Sequence, residues 1–195
     1  MNDLKEELDF TLEILIKSAF YSEEEILNII EEQFIEEDIN FDNLDISLLD
    51  NDSYYFNKLK DAFFDLNQKN ILSIHNCGYD LEEGLDDVFE LCTHLNYNKL
   101  NPKGFCFYSF EDIEEVILEG SLFLTFSDFS DNKADALKIG EEIVNVLKEY
   151  DFNVNWDNSV DNFIEINPFI WDKSFYKVDN YEIEEVYELF KKLHS

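Results

Sequence analysis

The sequence contains no arginine. All 14 of its basic residues are lysine, against 46 aspartates and glutamates, so the formal net charge is −32. Without arginine, and without a glycine-rich loop among the 5 glycines, the chain lacks the usual phosphate clamps of a nucleotide site. Its negative field repels nucleic-acid phosphates and anionic lipid headgroups. We therefore expect no direct binding to nucleic acid or membranes, and we expect a basic protein as the partner.

Long apolar runs and a basic leader are also missing. No segment approaches 18 consecutive apolar residues, and the opening MNDLKEELDF carries acids where a signal peptide needs basic and apolar residues. We expect a cytoplasmic protein on these grounds. The 3 cysteines are an odd number, which favours free thiols.

The chain is rich in apolar residues. Hydrophobic residues make up 45% of it, including 19 Phe and 10 Tyr, whereas acidic disordered chains are poor in aromatics. We predict one domain over 1–195. It has a helical part at 1–70, a mixed-sheet core at 71–166, and an extension with a helix at 167–195.

Hydrophobic periodicity predicts the order of the elements. Three helices come first, and the second follows a capping box at Ser22 and Glu25. The remainder reads as β-α-β-α-β-α-β-β and ends in a further helix. Asp80 and Ser109 are predicted helix caps, and the last two strands form a hairpin. The fold class is α+β, with N-terminal helices, a mixed β-sheet with packed helices, and a C-terminal helix.

Metal sites are weakly indicated. Asp38, Asn40 and Asp42 have the opening spacing of a calcium loop, but its sixth position is Asn43 and its twelfth is Leu49, where such loops need Gly and Glu. His75 with Cys77, and Cys92 with His94, supply zinc ligand types at spacings that structural zinc sites do not use. We expect neither a metal nor another cofactor.

Catalysis has one candidate, the Cys77 thiol beside His75 at a strand-to-helix junction. The neighbouring acids Asp80, Glu82 and Glu83 would raise the pKa of that thiol, which is the wrong direction for a nucleophile. We assign no catalytic residue and predict a non-enzymatic protein.

Aromatic residues cluster in the second half. Alternation along two strands predicts that about half of these rings lie in the core. The others would form a surface with aromatic anchors and an acidic rim, which suits a basic partner. The residues concerned are Phe105, Phe107, Tyr108, Phe110, Phe123, Phe126 and Phe129.

Five stretches of the sequence resemble a protein family. They are SAFYSEEEIL near the N-terminus, then IHNCGYDLEEGLDDV, GFCFYSFEDIE, GSLFLTF and NVNWDNS. Over about residues 10–166 the chain resembles an uncharacterised bacterial family, known as a domain of unknown function, with His-Asn-x-Gly-Tyr and Gly-aromatic-Cys-Phe-Tyr motifs. That family often has His where this chain has Ser109. The resemblance implies no activity. The positions that match its motifs are His75, Asn76, Gly78, Tyr79, Tyr108 and Asp112.

These observations predict an acidic protein-binding module, most concretely an immunity protein or antitoxin that neutralises a basic toxin. Two alternatives stay open: an inhibitor that mimics nucleic acid, and an enzyme or small-ligand binder that uses the turn from His75 to Tyr79. The candidate binding residues are His75, Asn76, Tyr79, Tyr108, Phe110, Asp112 and Asp157.

Overall fold

The computed structural model describes residues 2–35, 37, 41, 44–50, 52–130, 132–175, 181 and 183–194. Within these residues there are seven helices and five strands. The helices are α1 (Asn2–Ser18), α2 (Glu23–Gln33), α3 (Tyr54–Gln68), α4 (Leu81–Tyr97), α5 (Phe110–Glu119), α6 (Lys133–Glu149) and α7 (Ile183–His194). The strands are β1 (Ile71–Ile74), β2 (Gly104–Phe107), β3 (Leu122–Asp128), β4 (Val154–Asn155) and β5 (Ile164–Ile166). The predicted α+β class and element order are confirmed.

Local signals fix the helix boundaries. Ser22 and Ser109 each form a complete capping box, and Asp80 accepts a hydrogen bond from the backbone N–H of Glu83. The C-cap of α5 is Gly120, whose φ of 76° lies in the left-handed region that glycine adopts at low cost. The three predicted caps are therefore confirmed.

The sheet has the order β1-β2-β3-β5-β4. Strands β1 and β2 are parallel, and the other neighbouring pairs are antiparallel. The expected hairpin is present, although β4 has only 2 residues and β5 only 3. Because β1 and β2 are parallel neighbours, the chain leaves both strands at the same end of the sheet.

Helices cover the β1–β2 half of the sheet on both faces. On one face, Leu72, Phe105 and Phe107 join a buried cluster with residues of α4 and α7. Gly84 of α4 lies so close to β2 that an added Cβ would be 2.5 Å from Cε2 of Phe107. On the other face, an added Cβ on Gly104 would be 2.8 Å from Ile139 Cγ1 of α6. Glycine at these two positions lets the helices approach the strand.

Because helices cover this half of the sheet on both faces, more of the aromatic side chains are buried than predicted. All four residues of β2, Phe105 and Phe107 among them, are buried because this interior strand is covered on both faces. Tyr108 and Phe110, which follow the strand, are buried as well. Burial alternates on β3, where positions from Leu122 to Asp128 are alternately buried and half-buried, and on the short β5. The face of β3 that carries Phe123 is therefore partly open.

The chain divides into two compact units, Met1–Tyr54 with Asp172–Asn180, and Tyr55–Trp171 with Tyr181–Ser195. In the first unit α1 packs on α2, and the Lys173 ammonium donates to the carbonyl of Ala19 at 2.7 Å. The second unit contains the sheet, α4 to α7 and nearly all of α3. No helix in the described part of the chain combines the length and the apolar character needed to cross a membrane.

Candidate functional site

The turn after β1 and the segment after β2 lie side by side. The Cys77 N–H donates to the Tyr108 carbonyl at 2.9 Å, the Phe110 N–H to Gly78 at 3.1 Å, and the Glu111 N–H to Tyr79 at 3.0 Å. These backbone bonds form because parallel neighbours end at the same end of the sheet. They bring six of the seven candidate residues into one region, namely His75, Asn76, Tyr79, Tyr108, Phe110 and Asp112.

His75 and Tyr108 form a buried pair in this region. The His75 Nδ1 and the Tyr108 hydroxyl are 2.8 Å apart, and the His75 ring stacks on Phe63 of α3 with centroids 4.4 Å apart. Burial, followed by the charges of Tyr181 and Asp112, raises the pKa of the Tyr108 phenol. Tyr108 is therefore a neutral interior hydroxyl at physiological pH.

Asn67 of α3 closes the free edge of β1 next to this pair. Its side-chain amide donates to the Ser73 carbonyl at 2.9 Å, and its oxygen accepts the Ser73 N–H at 3.1 Å. The side chain thus takes the place of a neighbouring strand. A cavity of about 370 Å³ opens beside it, with a lining that includes Phe63, Asn67, Ser73, His75, Tyr181 and Val186.

Tyr79 points away from this interior. Its side chain is 55% exposed, and its ring stacks on the buried Phe110 at 5.9 Å with an interplanar angle of 21°. Partial burial, followed by the charges of surrounding carboxylates, raises the pKa of the Tyr79 phenol. We call this surface the Tyr79 patch; it consists of Tyr79, Asp80, Leu81, Glu83, Glu111 and Glu114.

All charged side chains of the Tyr79 patch are carboxylates. In the described part of the chain, no lysine forms an ion pair with its carboxylates; the ion pairs lie elsewhere, as with Lys69–Glu142 and Lys138–Asp135. Beside the patch, a groove of about 460 Å³ between α4 and the start of α5 has further acidic lining at Glu82 and Asp86. The exposed Tyr79 ring is therefore surrounded by carboxylates that no lysine of the described residues pairs with.

Asp112 has a local structural role. One of its carboxylate oxygens accepts the Ser109 N–H at 2.8 Å and the Ser109 hydroxyl at 2.9 Å, which completes the capping box of α5. Burial raises the pKa of this carboxyl, and the bonds from Ser109 partly offset the effect. Asn76, the remaining residue of the turn, is half-buried with a φ of 49°.

Asp157 is separate from the other six residues. It lies in the β4–β5 connection, where it accepts bonds from the Ser159 N–H at 3.0 Å and the Asn162 amide at 2.7 Å. Because Phe107 pairs with Thr125 and Leu124 with Ile164, β5 begins level with the end of β2, and three strand positions across the sheet separate it from β1 and the Tyr79 turn.

The thiols are enclosed. All three cysteines are free and buried, and burial, followed by the charge of Asp87, raises the pKa of Cys77 far above its ordinary value. The Cys77 thiol is therefore protonated at neutral pH. Among the residues that the structure describes, no group of three or more His, Cys, Asp or Glu side chains is placed to hold a metal ion. The calcium-like spacing at Asp38, Asn40 and Asp42 falls outside the described residues.

A protein-family model described as "Domain of unknown function (DUF6891)" matches residues 49–175. The chain belongs to the DUF6891 family. The resemblance to an uncharacterised family is thereby confirmed, with bounds that begin later and end later than the expected 10–166. No curated protein matches the chain, and no solved structure does either.

The DUF6891 match contains β1 to β5, the buried His75–Tyr108 pair and the whole Tyr79 patch. Sequence reasoning missed three contributors to these sites: Phe63, Asn67 and Tyr181. Phe63 and Asn67 lie on the buried face of α3, and nothing in the local sequence shows that one stacks on His75 and the other bonds to Ser73. Glu111 and Glu114 are one helical turn apart, which was a usable signal for a shared acidic face.

Proposed function

We propose that this DUF6891 protein is a non-enzymatic module that binds a basic protein through the Tyr79 patch. The observation that carries the proposal is the Tyr79 ring, 55% exposed, held by Phe110 and surrounded by carboxylates that no lysine of the described chain neutralises. A tyrosine already fixed by stacking loses little side-chain entropy when a partner covers it, and tyrosine is enriched among interface hot spots.

The negative charge of the patch indicates that the partner is positively charged. Four carboxylates surround the Tyr79 ring, in a chain with 46 acidic residues and 14 lysines. Such a surface accelerates association with a cationic protein and repels an acidic one. Because exposed charges are screened over about 10 Å at 0.1 M salt, the association rate should fall steeply as salt rises.

The biological form that we propose is an immunity protein or antitoxin that neutralises a cationic toxin. The same surface also suits the related role of nucleic-acid mimic, in which carboxylates occupy a phosphate-binding groove. The two forms differ in the partner, because a mimic competes with duplex DNA or RNA for its target and a general toxin inhibitor does not.

Affinity capture with matched baits tests the proposal. The wild-type chain, Tyr79→Ala and a control, Tyr97→Ala, are immobilised and exposed to lysate of the source cell at about 50 mM and about 500 mM salt. Tyr97 is 90% exposed and lies at the end of α4, outside the patch. We expect a basic protein whose recovery falls at high salt and on the Tyr79→Ala bait, by about tenfold or more, but not on the control. Recovery that is the same on all three baits would rule out the patch.

The cavity beside His75 favours a second function, small-ligand binding. Its volume of about 370 Å³ and largely apolar lining, with buried polar groups at His75, Ser73 and Asn67, are typical of a ligand pocket. Phenol and indole serve as probes in a saturation-transfer NMR experiment. We expect transfer to the wild type and a loss of it in Leu189→Trp, which fills the cavity. Absence of transfer to either probe at about 1 mM would remove this function.

A further inference from the structure

The half of the sheet formed by β3, β5 and β4 has an open face. On β3, Leu122, Leu124 and Phe126 are buried while the alternate positions are half-buried, and on β5 Glu165 is half-buried between two buried isoleucines. The register places Phe123 opposite Glu165, and Glu165 opposite Asn155. These three side chains therefore form a row across one face.

A shallow depression of about 620 Å³ lies over this row. Phe163, at the entry to β5, is 50% exposed, and its ring meets Phe123 at 6.5 Å with an interplanar angle of 65°. Trp156 lines the same depression, fixed by a bond from its Nε1 to the Ser159 carbonyl at 3.0 Å. The Phe123 and Phe163 rings are thus held against each other in the depression, while the Trp156 ring packs on the buried Phe126 with centroids 5.5 Å apart.

Two carboxylates, those of Glu165 and Asp157, also line the depression, and each accepts hydrogen bonds from asparagine side-chain amides. Glu165 accepts from the Asn155 amide at 3.0 Å and from the Asn167 amide at 3.1 Å. Asp157 accepts from the Asn162 amide at 2.7 Å. The bond from Asn155 is the main cause that lowers the pKa of Glu165. Among the described residues no lysine lines the depression, so its two carboxylates face it without a described cation beside them.

We propose that this depression binds the guanidinium group of an arginine side chain carried by another protein. A guanidinium is planar, stacks on aromatic faces and donates in pairs to a carboxylate, so it satisfies rings and carboxylates together. A sugar would use the rings and amides but gain little from two charges. The chain contains no arginine, so the group must come from a partner.

The test uses a small ligand on the full chain, N-acetyl-arginine amide, with N-acetyl-citrulline amide as its neutral isostere. Shifts of backbone amide resonances at 154–157 and 162–165 report the site. We expect saturable shifts with a dissociation constant on the order of millimolar for the arginine compound, and none for citrulline. Phe163→Ala and Glu165→Gln should each weaken binding by about three- to tenfold.

Matched controls isolate the site. Phe89→Ala removes a phenylalanine that is 49% exposed on α4, and Glu141→Gln removes one charge from an exposed position of α6. Both should leave the affinity for the arginine compound unchanged. Equal binding of citrulline, equal shifts with glucose, absence of saturable binding, or equal loss in the control variants would overturn the inference. The site lies apart from the Tyr79 patch and the probe is not a protein, so this result is independent of the capture experiment.

Discussion

Replacement of Asn67 by leucine is the sharpest test of how the His75 region is held. Asn67 is 2% exposed and makes three side-chain hydrogen bonds: two with Ser73 of β1 and one from its amide to the Phe63 carbonyl at 2.9 Å. Leucine has the same number and branching of side-chain heavy atoms and no polar atoms. The substitution therefore removes hydrogen bonds without opening a large cavity.

The expected loss of stability comes from the backbone groups of Ser73 that the substitution leaves without a partner. The N–H and C=O of Ser73 lose their partner at a buried strand edge, and each unsatisfied buried group costs about 1 to 3 kcal/mol. The added apolar burial of leucine recovers part of this. We expect a loss of about 2 to 4 kcal/mol in the free energy of unfolding, a large fraction of the 5 to 15 kcal/mol that is typical of a domain.

Urea unfolding followed by circular dichroism measures this loss. Asn96→Leu, at an exposed position of α4, is the control and should stay within about 0.5 kcal/mol of wild type. Asn67→Asp adds a second signature, because its carboxylate would face the Phe63 and Ser73 carbonyls and its pKa would be raised. Its deficit relative to wild type should then shrink as the pH falls below about 5 and the carboxyl regains a proton. A loss below about 1 kcal/mol for Asn67→Leu would refute the reasoning.

Three further predictions concern packing, titration and charge. Gly84→Ala should destabilise by about 1 to 3 kcal/mol, although alanine normally favours helices, because its Cβ would lie 2.5 Å from the Phe107 ring; a stabilised variant by thermal unfolding would contradict this. Tyr150, which donates to Asp65 at 2.6 Å, has a pKa raised to about 12, mainly by that bond. Its contribution to stability is complete below about pH 10 and is lost as the pH rises through about 12, so spectrophotometric titration of wild type and Tyr150→Phe should differ by one late-titrating phenol. Because the net charge is −32, the unfolding midpoint should rise between about 20 mM and about 500 mM sodium chloride; a fall would mean that surface ion pairs outweigh the self-repulsion.

The elements were predictable because their signals are local. The capping boxes at Ser22 and Ser109 and the apolar periodicity of each helix involve residues within one or two turns of each other. The pairing of strands is not local. The antiparallel β2–β3 pair, and the position of β5 between β3 and β4, depend on contacts that no short window of sequence contains.

The sequence supplies candidate residues for the site but not the direction in which each side chain points. The turn from His75 to Tyr79 was identified, yet His75 faces the interior against Phe63 while Tyr79 faces outward on Phe110. Which way each side chain points depends on α3 and α5, which reach the turn from elsewhere in the chain. Asp157 was a further candidate, and only the strand order β1-β2-β3-β5-β4 shows that it lies across the sheet from this turn.

The separation of the Tyr79 patch from the guanidinium depression constrains any partner. β1 and β5 are three strand positions apart in the order β1-β2-β3-β5-β4. At about 4.8 Å per strand, this is about 14 Å across the sheet. Sites this far apart share no side chain, so Tyr79→Ala and Phe163→Ala should have additive effects on the binding free energy if one partner covers both. If two partners are involved, each substitution should weaken only one of them. Affinities of the two single variants for each captured protein distinguish these cases, because a single partner that spans both surfaces must lose affinity in each; a double-mutant cycle then tests additivity.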